Sequence, residues 1–404
     1  MKLSEELTWR GFVNQTTYSD ITAIDGDPIS FYIGVDPSSD SMTIGNLASM
    51  MMIRHFINHG HKAFMLVGGA TGLIGDPDGK ATERQMQTVE TIAKNREGIA
   101  AQFHQTLSGQ DFTMVDNYDW FKGINYLDFL REIGKNVPMS QMLGRDFIKS
   151  RLGLDGTGIS YAEFSYCLIQ GYDFLHLFRT YGVTLQLCGA DQWGNSVTGV
   201  DLIRRLESKE VNVFSTPLII NKSTGAKFGK SEGGAIWLDA NKTSVYQFYQ
   251  FWLNADDDGV IDYMKIYTLL PRNQVEDLER QKNENPEQRQ AQKALAHEIT
   301  LLVHGAERTA SVERVTDALF GSADFNTLND SDINQLASEI PITSVGQSLI
   351  EVLVSSQLAS SNGDARRLIT SGAVSINGEK VMDNKTIDNL SLVKKGKNSF
   401  VLVR

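Results

Sequence analysis

The sequence predicts a doubly wound α/β domain followed by a helical segment and a small mixed α/β tail. Three observations predict it. A strand–loop–helix–strand unit opens the chain, a second unit of the same kind recurs near residue 184, and strand signals become scarce after residue 245. The first unit begins with FYIGV (31–35), a short apolar run rich in β-branched and aromatic residues that reads as a buried strand. The turn-rich DPSSDSMT follows, with residues that cap helices. Ile44, Leu47, Ala48, Met51 and Met52 then recur at helical spacing. AFMLV (63–67) is the next strand, so the crossover is βαβ and the sheet parallel. In the second unit TLQLC (184–188) is a strand, GADQWGN a turn, and Ser196 to Leu206 a helix. TPLII (216–220) reads as a further strand.

From Val245 to about Phe320 the spacing is helical, and QKNENPEQRQAQKALAHEITLLVHG carries few turn signals. SADFNTLNDSDIN is polar and reads as a hinge. Beyond Ile342, residues 347–371 predict two short helices, AVSINGEKV a hairpin turning at Asn377 and Gly378, and NSFVLVR a closing strand. The predicted boundaries are 1–235 for the α/β domain, 236–330 for the helical domain, 331–341 for a linker and 342–404 for the tail.

At 404 residues the chain suits two or three domains of roughly 150 residues. Its 41% hydrophobic and 22% charged content excludes disordered, collagen-like and disulfide-scaffold classes. The net charge of −11 excludes a general nucleic-acid coat. The tail differs: eight Lys and Arg stand against five Asp and Glu, a net +3 that leaves −14 for the rest. A basic module on an acidic body is a candidate phosphate footprint. Cys167 and Cys188 make neither a disulfide framework nor a metal pair, and free thiols fit a reducing cytoplasm. No run reaches the ~18 apolar residues of a membrane helix, and the N-terminus lacks the apolar core of a signal peptide.

In an open parallel sheet, ligands bind beyond the carboxyl ends of the strands. Three turns fall there: GVDPSSDSMTIGN, GGATGLIGDP and CGADQWGN. Any one glycine among them is explained by tight packing of helix on sheet. Three such turns, each carrying a carboxylate or amide, point to a site. A helix starting near Thr43 would offer N–H groups and a positive dipole end to a phosphate. TGAKFGKSEGG is a cationic, glycine-rich loop suited to a polyphosphate, though as a solvated surface loop it needs no ligand. It lacks the spacing of a P-loop, as does DPDGKAT. The seven histidines show no metal-binding pattern, and no nucleophile elbow is present. Tyr166, Gln170 and Asp173 fall at i, i+4 and i+7 on one face of an otherwise apolar helix. Buried polar groups need partners, so this stripe is a second candidate for a site.

Taken together, these segments resemble the bacterial tyrosyl-tRNA synthetases, a family of class I aminoacyl-tRNA synthetases. YIGVDPSSDSMTIGN is similar to the family's first signature, which ends in His-Ile-Gly-His. KFGKS resembles its second, Lys-Met-Ser-Lys-Ser. GGATGLIGDP, NYDWF, EFSYCLIQGYDF, GADQWGN and FYQFWLN are similar to further family segments, and ARRLITSGAVSINGEKV resembles the S4 RNA-binding module. The resemblance spans nearly the whole chain, in order.

The resemblance implies a Rossmann-type catalytic domain, a helical anticodon-arm domain, an S4-like α+β tail and a homodimer. It implies activation of L-tyrosine by ATP with Mg²⁺, then transfer to tRNA(Tyr), with no tightly bound cofactor, no metal site of the protein's own and no membrane partner. Tyr32, Thr71, Asp76, Tyr166, Gln170, Asp173 and Gln192 would line the tyrosine pocket: Tyr32 and Asp173 at the phenol, Tyr166, Gln170 and Asp76 at the ammonium. Gly34, Asp36, Gly45, Gly189 and Asp191 would frame the nucleotide. Ser38, Thr43, Asn46, Lys227, Lys230 and Ser231 would act on the phosphates, joined by Lys80 and Arg84. Two departures stand out. Thr43 and Asn46 occupy the two histidine positions of the first signature, and Ile33 stands where the family often has cysteine. Two other readings compete with this one. The stripe ending in Asp173 and the S4-like tail argue against a tryptophanyl enzyme. Lys227, Lys230 and Asp191 argue against a regulatory paralogue with a degraded site, which Thr43 would suggest.

Overall fold

The computed structural model describes residues 1–77, 86–143, 146–152, 158–225, 228–231, 234–321 and 323–404. They divide into two compact units. One comprises Met1–Thr243 with Phe251–Ile299, the other Ser244–Gln250 with Thr300–Arg404.

The first unit is built on a six-stranded sheet. Its strands are β1 (Gln15–Thr16), β2 (Ser30–Val35), β3 (Lys62–Val67), β4 (Phe112–Asp116), β5 (Leu185–Gly189) and β6 (Asn212–Thr216), in the order β1-β6-β5-β2-β3-β4. All neighbours are parallel except β1 and β6. The chain winds outward from β2 through β3 to β4, then returns to the other side of β2 and winds through β5 to β6. That reversal places the switch point between β2 and β5, where ligands collect in such sheets.

The strands expected at 31–35, 63–67 and 184–188 are present within a residue or two. TPLII is not a strand: β6 lies earlier and ends at Thr216. Pro217 has no N–H to donate to a ladder, so the strand stops before it.

Four helices position the site: α1 (Ile44–Asn58), α2 (Val89–Thr106), α3 (Tyr161–Tyr181) and α4 (Trp193–Glu207). Every apolar residue of the predicted α1 stripe is buried. Asn95 of α2 donates to Pro37 O at 2.9 Å, and Gln102 accepts from Met42 N at 2.6 Å, so α2 fixes the loop after β2. Ser160 and Glu163 cap the start of α3 reciprocally, and Gly182 ends it in left-handed conformation. Residues 251–299, expected to open a separate helical domain, belong to the first unit. Buried Arg10 ties them there by donating to the carbonyls of Lys265, Thr268 and Leu270 at 2.8–2.9 Å.

The second unit carries a sheet of Ile342–Thr343, Val374–Ile376, Glu379–Lys380, Ser391–Lys395 and Ser399–Val403. The predicted hairpin is present, with Asn377 (φ +50°) and Gly378 (φ +87°) at its turn. Alternation along the last two strands divides two cores. Val393, Val401 and Val403 face the helices Leu349–Ser355 and Asn362–Thr370. Leu392, Phe400 and Leu402 join Val315, Leu319, Phe325, Ile333 and Leu336.

The segment read as a polar hinge therefore folds as a 3₁₀ turn and helix α5 (Asp330–Glu339). Its polar residues are caps. Asn329 accepts from Asp332 N at 3.0 Å, and buried Asp332 accepts two bonds of 2.8 Å from Arg314. No helix among the described residues is long and apolar enough to cross a membrane.

Candidate active site

A cavity of about 640 Å³ opens at the switch point, within the first unit. Its floor comes from the two central strands. Tyr32 on β2 and Gln186 on β5 are Cα partners in the parallel register, and both are buried in the cavity wall. The Tyr32 hydroxyl has no hydrogen-bond partner, nor has Gln186 Oε1. Burial, then the carboxylate of Asp173 and the thiol of Cys188, push the Tyr32 phenol well above its ordinary pKa, so it stays protonated.

Asp173, 2% exposed on α3, faces this floor. It accepts from Asn117 Nδ2 at 3.1 Å and from Trp120 Nε1 at 2.9 Å. Burial raises its pKa to about 8, although the two hydrogen bonds act in the opposite direction. Asn117, fully buried after β4, also donates to Thr71 Oγ1 at 3.1 Å and accepts from Ala70 N at 2.7 Å. Gln186, Asn117 and Trp120 are absent from the sequence-based site. The last two belong to NYDWF, a segment whose family likeness by itself assigns no role to either residue.

Above the floor the walls are carboxylates. Asp36, on the loop after β2, accepts from Thr71 Oγ1 at 2.6 Å and from the Tyr166 hydroxyl at 2.8 Å. This arrangement requires glycine at 68, because a Cβ there would lie 2.1 Å from Thr71 Oγ1 and 2.4 Å from Asp36 Oδ1. Asp76 accepts from Gln192 Nε2 at 2.5 Å, and Gln192 Oε1 accepts from Asn195 at 3.2 Å. Gln170 Oε1 is buried without a partner. Asp36, Asp76, Asp173 and Asp191 all line the cavity, and no lysine or arginine does among the described residues. Such a field favours a cation. No cluster of metal-ligating side chains occurs among the described residues.

The N-terminus of α1 closes one side. Thr43 N and Thr43 Oγ1 both donate to Asn46 Oδ1, at 3.0 and 3.1 Å. Against this turn lies a hairpin of β7 (Lys230–Ser231) and β8 (Gly234–Ala235), the segment of the second signature. Ile44 N donates to Ile236 O at 3.1 Å, and Ile236 N to Gly229 O at 3.0 Å. Gly229 has φ +99°, and a Cβ on it would lie 2.9 Å from Ile44 Cγ1. Phe228 anchors the hairpin by stacking on Tyr263 at 4.1 Å, beside Trp252.

Every described side chain or glycine of the expected tyrosine and nucleotide sets lines this one cavity, as do Ser38, Thr43 and Asn46. Ile33, at the position where the family often has cysteine, lines it too. Lys80, Arg84 and Lys227 lie outside the described residues, and Lys230 and Ser231 are placed as strand β7.

Residues 25–321 match the family model described as tRNA synthetases class I (W and Y). The chain thus belongs to the class I aminoacyl-tRNA synthetases. Residues 332–404 match the tyrosine–tRNA ligase SYY-like C-terminal domain. Tyrosine–tRNA ligase 2 of Bacillus cereus is 43% identical over 422 aligned residues, covering 100% of this chain and 99% of that one. Tyrosine–tRNA ligase of Staphylococcus haemolyticus is 41% identical, covering 99% and 98%. Within the class, then, the chain belongs to the tyrosine–tRNA ligases. Among solved structures, a C-terminally truncated mitochondrial tyrosyl-tRNA synthetase of Aspergillus nidulans superposes with TM-score 0.71 at 28% identity, covering 79% of this chain and 94% of that one. The synthetase of Archaeoglobus fulgidus, at 14% identity and TM-score 0.57, shares the fold.

Proposed function

We propose that this cavity holds L-tyrosine and ATP side by side, joins them, and then esterifies the terminal adenosine of tRNA(Tyr). In the first step a carboxylate oxygen of tyrosine attacks the α-phosphorus and the bond to the β-phosphate oxygen breaks. Tyrosyl-adenylate forms and pyrophosphate leaves. In the second, a hydroxyl of the terminal adenosine attacks the tyrosyl carbonyl and AMP leaves. The attacking carboxylate is already a nucleophile, so the first step requires positioning and charge stabilisation rather than a base.

Tyr32 and Asp173 hold the phenol of the substrate. Asp76, Tyr166 and Gln170 hold its ammonium, with Thr71 and Gln192 bracing them. Asp36, Gly34, Gly45, Gly189 and Asp191 frame the nucleotide. Ser38, Thr43, Asn46, Lys80, Arg84, Lys227, Lys230 and Ser231 serve the phosphates, which bring Mg²⁺ with them. Outside the cleft, exposed Arg366 and Arg367 of the basic tail offer charge to tRNA phosphates. Exposed apolar side chains, among them Tyr126 and Tyr161, whose hydroxyls meet at 3.2 Å, are available to a second copy in a homodimer.

The observation that carries this reading is the unpartnered, buried Tyr32 hydroxyl at the floor beside Asp173. A phenol can pair with the Tyr32 hydroxyl and add a bond to Asp173, whereas phenylalanine leaves the buried Tyr32 hydroxyl unpaired and Asp173 with only Asn117 and Trp120. ATP–pyrophosphate exchange with tyrosine, phenylalanine and tryptophan tests it. Exchange driven by tyrosine is expected; equal exchange with phenylalanine would overturn the floor assignment.

A further inference from the structure

We propose that Thr43 is a positioning residue: it fixes the side chain of Asn46 so that the amide nitrogen serves the phosphates of ATP, and the two act as one unit. The inference rests on the reading of the cavity as the ATP site. It departs from the expectation that Thr43 itself contacts phosphate.

A hydroxyl has a single proton to donate. That of Thr43 goes to Asn46 Oδ1 at 3.1 Å, so it is not available to a phosphate oxygen at the same time. The backbone N–H of Thr43 goes to the same oxygen at 3.0 Å. The backbone donor fixes which way the amide faces, because a flipped amide would put its N–H against the Thr43 N–H, and the hydroxyl adds a second bond to the same oxygen. The Nδ2 group, with two donors, is thereby directed away from Thr43, and both residues line the cavity.

The neighbouring backbone adds weight to this side-chain donor. A helix N-terminus normally offers its first N–H groups to an anion. Here Ile44 N already donates to Ile236 O at 3.1 Å, and Asn46 N to Thr43 O at 2.9 Å. The Asn46 amide restores a donor at the end of α1 where the hairpin has taken one. Threonine in place of a larger ring also suits the role, since its short side chain reaches Asn46 within one helical turn.

The experiment is a double-mutant cycle on the full-length protein with Thr43→Val, Asn46→Ala and both together, plus Thr43→Ser. Rates of ATP–pyrophosphate exchange, the KM for ATP and the tyrosine Kd from intrinsic fluorescence are measured for each. Loss of a charge-assisted hydrogen bond predicts a fall in kcat on the order of a hundredfold for Asn46→Ala. Thr43→Val should lose roughly tenfold, Thr43→Ser should recover most of that loss, and the double variant should be no slower than Asn46→Ala. Tyrosine Kd should hold throughout, which shows the variants are folded. Multiplying losses in the double variant would mean that Thr43 acts on phosphate directly, and a wild-type rate for Thr43→Val or Asn46→Ala would equally overturn the proposal. Absence of tyrosine-dependent exchange in the unmodified protein would instead sink the reading of the cavity itself.

Discussion

Tyr166 donates its hydroxyl proton to Asp36 Oδ2 at 2.8 Å, linking α3 to the loop after β2. The bond orients the phenol oxygen. With its proton committed to Asp36, that oxygen presents lone pairs to the cavity and can accept from an ammonium. Burial first, and Asp36 second, push the Tyr166 pKa well up, so the hydroxyl keeps its proton. Tyr166→Phe removes this acceptor. Tyrosine affinity should fall at least tenfold, the order expected for a hydrogen bond to a charged group. ATP affinity should change less, because Thr71 still holds Asp36. Equilibrium binding of each substrate checks it; equal losses for the two would contradict it.

Asp173 should make stability depend on pH. Its pKa is raised to about 8 in the folded protein, chiefly by burial, from the usual carboxylate range near 4 in the unfolded chain. The folded state therefore holds the proton more tightly. The associated stability is fully present at low pH and is lost as pH rises toward about 8. Asp173→Asn cannot ionise. Relative to the natural protein, the variant should gain stability from pH 5 to pH 8, read by urea unfolding at both values. A difference between the two proteins that is constant with pH would refute this.

Gly229→Ala should impair activation while sparing tyrosine binding. The new Cβ meets Ile44 at the start of α1, and φ +99° is strained for any side chain. The hairpin must shift from the helix end, and with it the segment that carries Lys230. Single-turnover adenylate formation should slow at least tenfold, about 1.4 kcal/mol of lost transition-state stabilisation. An unchanged rate would show that the hairpin seats elsewhere during activation.

Removal of the tail should be costly. Truncation after Pro341 strips Leu392, Phe400 and Leu402 from Leu319 and Leu336, which share their core. Each of these large side chains contributes about 1.5–3 kcal/mol on burial. The truncated protein should unfold at lower denaturant in its helical part, and tRNA charging should fall much further than pyrophosphate exchange. Equal effects on the two rates would deny residues 342–404 a role in tRNA binding.

Much of this molecule is readable in its sequence because parallel strands are short apolar runs and their carboxyl-end turns are rich in glycine and polar residues. The stripe Tyr166, Gln170, Asp173 was visible because polar side chains interrupt an apolar helix. Asn117 and Trp120 were not, since they meet Asp173 only through the pairing of β4 beside β3, which no local pattern specifies. Gln186 was hidden inside a strand, where one polar residue between leucines carries little signal. The polar run before Gln335 is ambiguous for another reason: capping residues and hinge residues share a composition, and it is tertiary pairing of Asp332 with Arg314 and Ser311 that separates them.

The register of Tyr32 with Gln186 has a consequence for biogenesis. β2 finds one neighbour, β3, almost at once, but its other neighbour, β5, emerges from the ribosome only after α3 has been made. Until then one edge of the central strand stays open, and the floor of the cavity does not exist. Nascent chains halted before residue 189 would carry an exposed, β-branched edge ready to pair with other chains. Long-range pairing of this kind is slow. The pairing that creates the binding floor thus forms well after β2 has met β3, so a chain competent to bind its substrate is one whose sheet has already closed across β2 and β5.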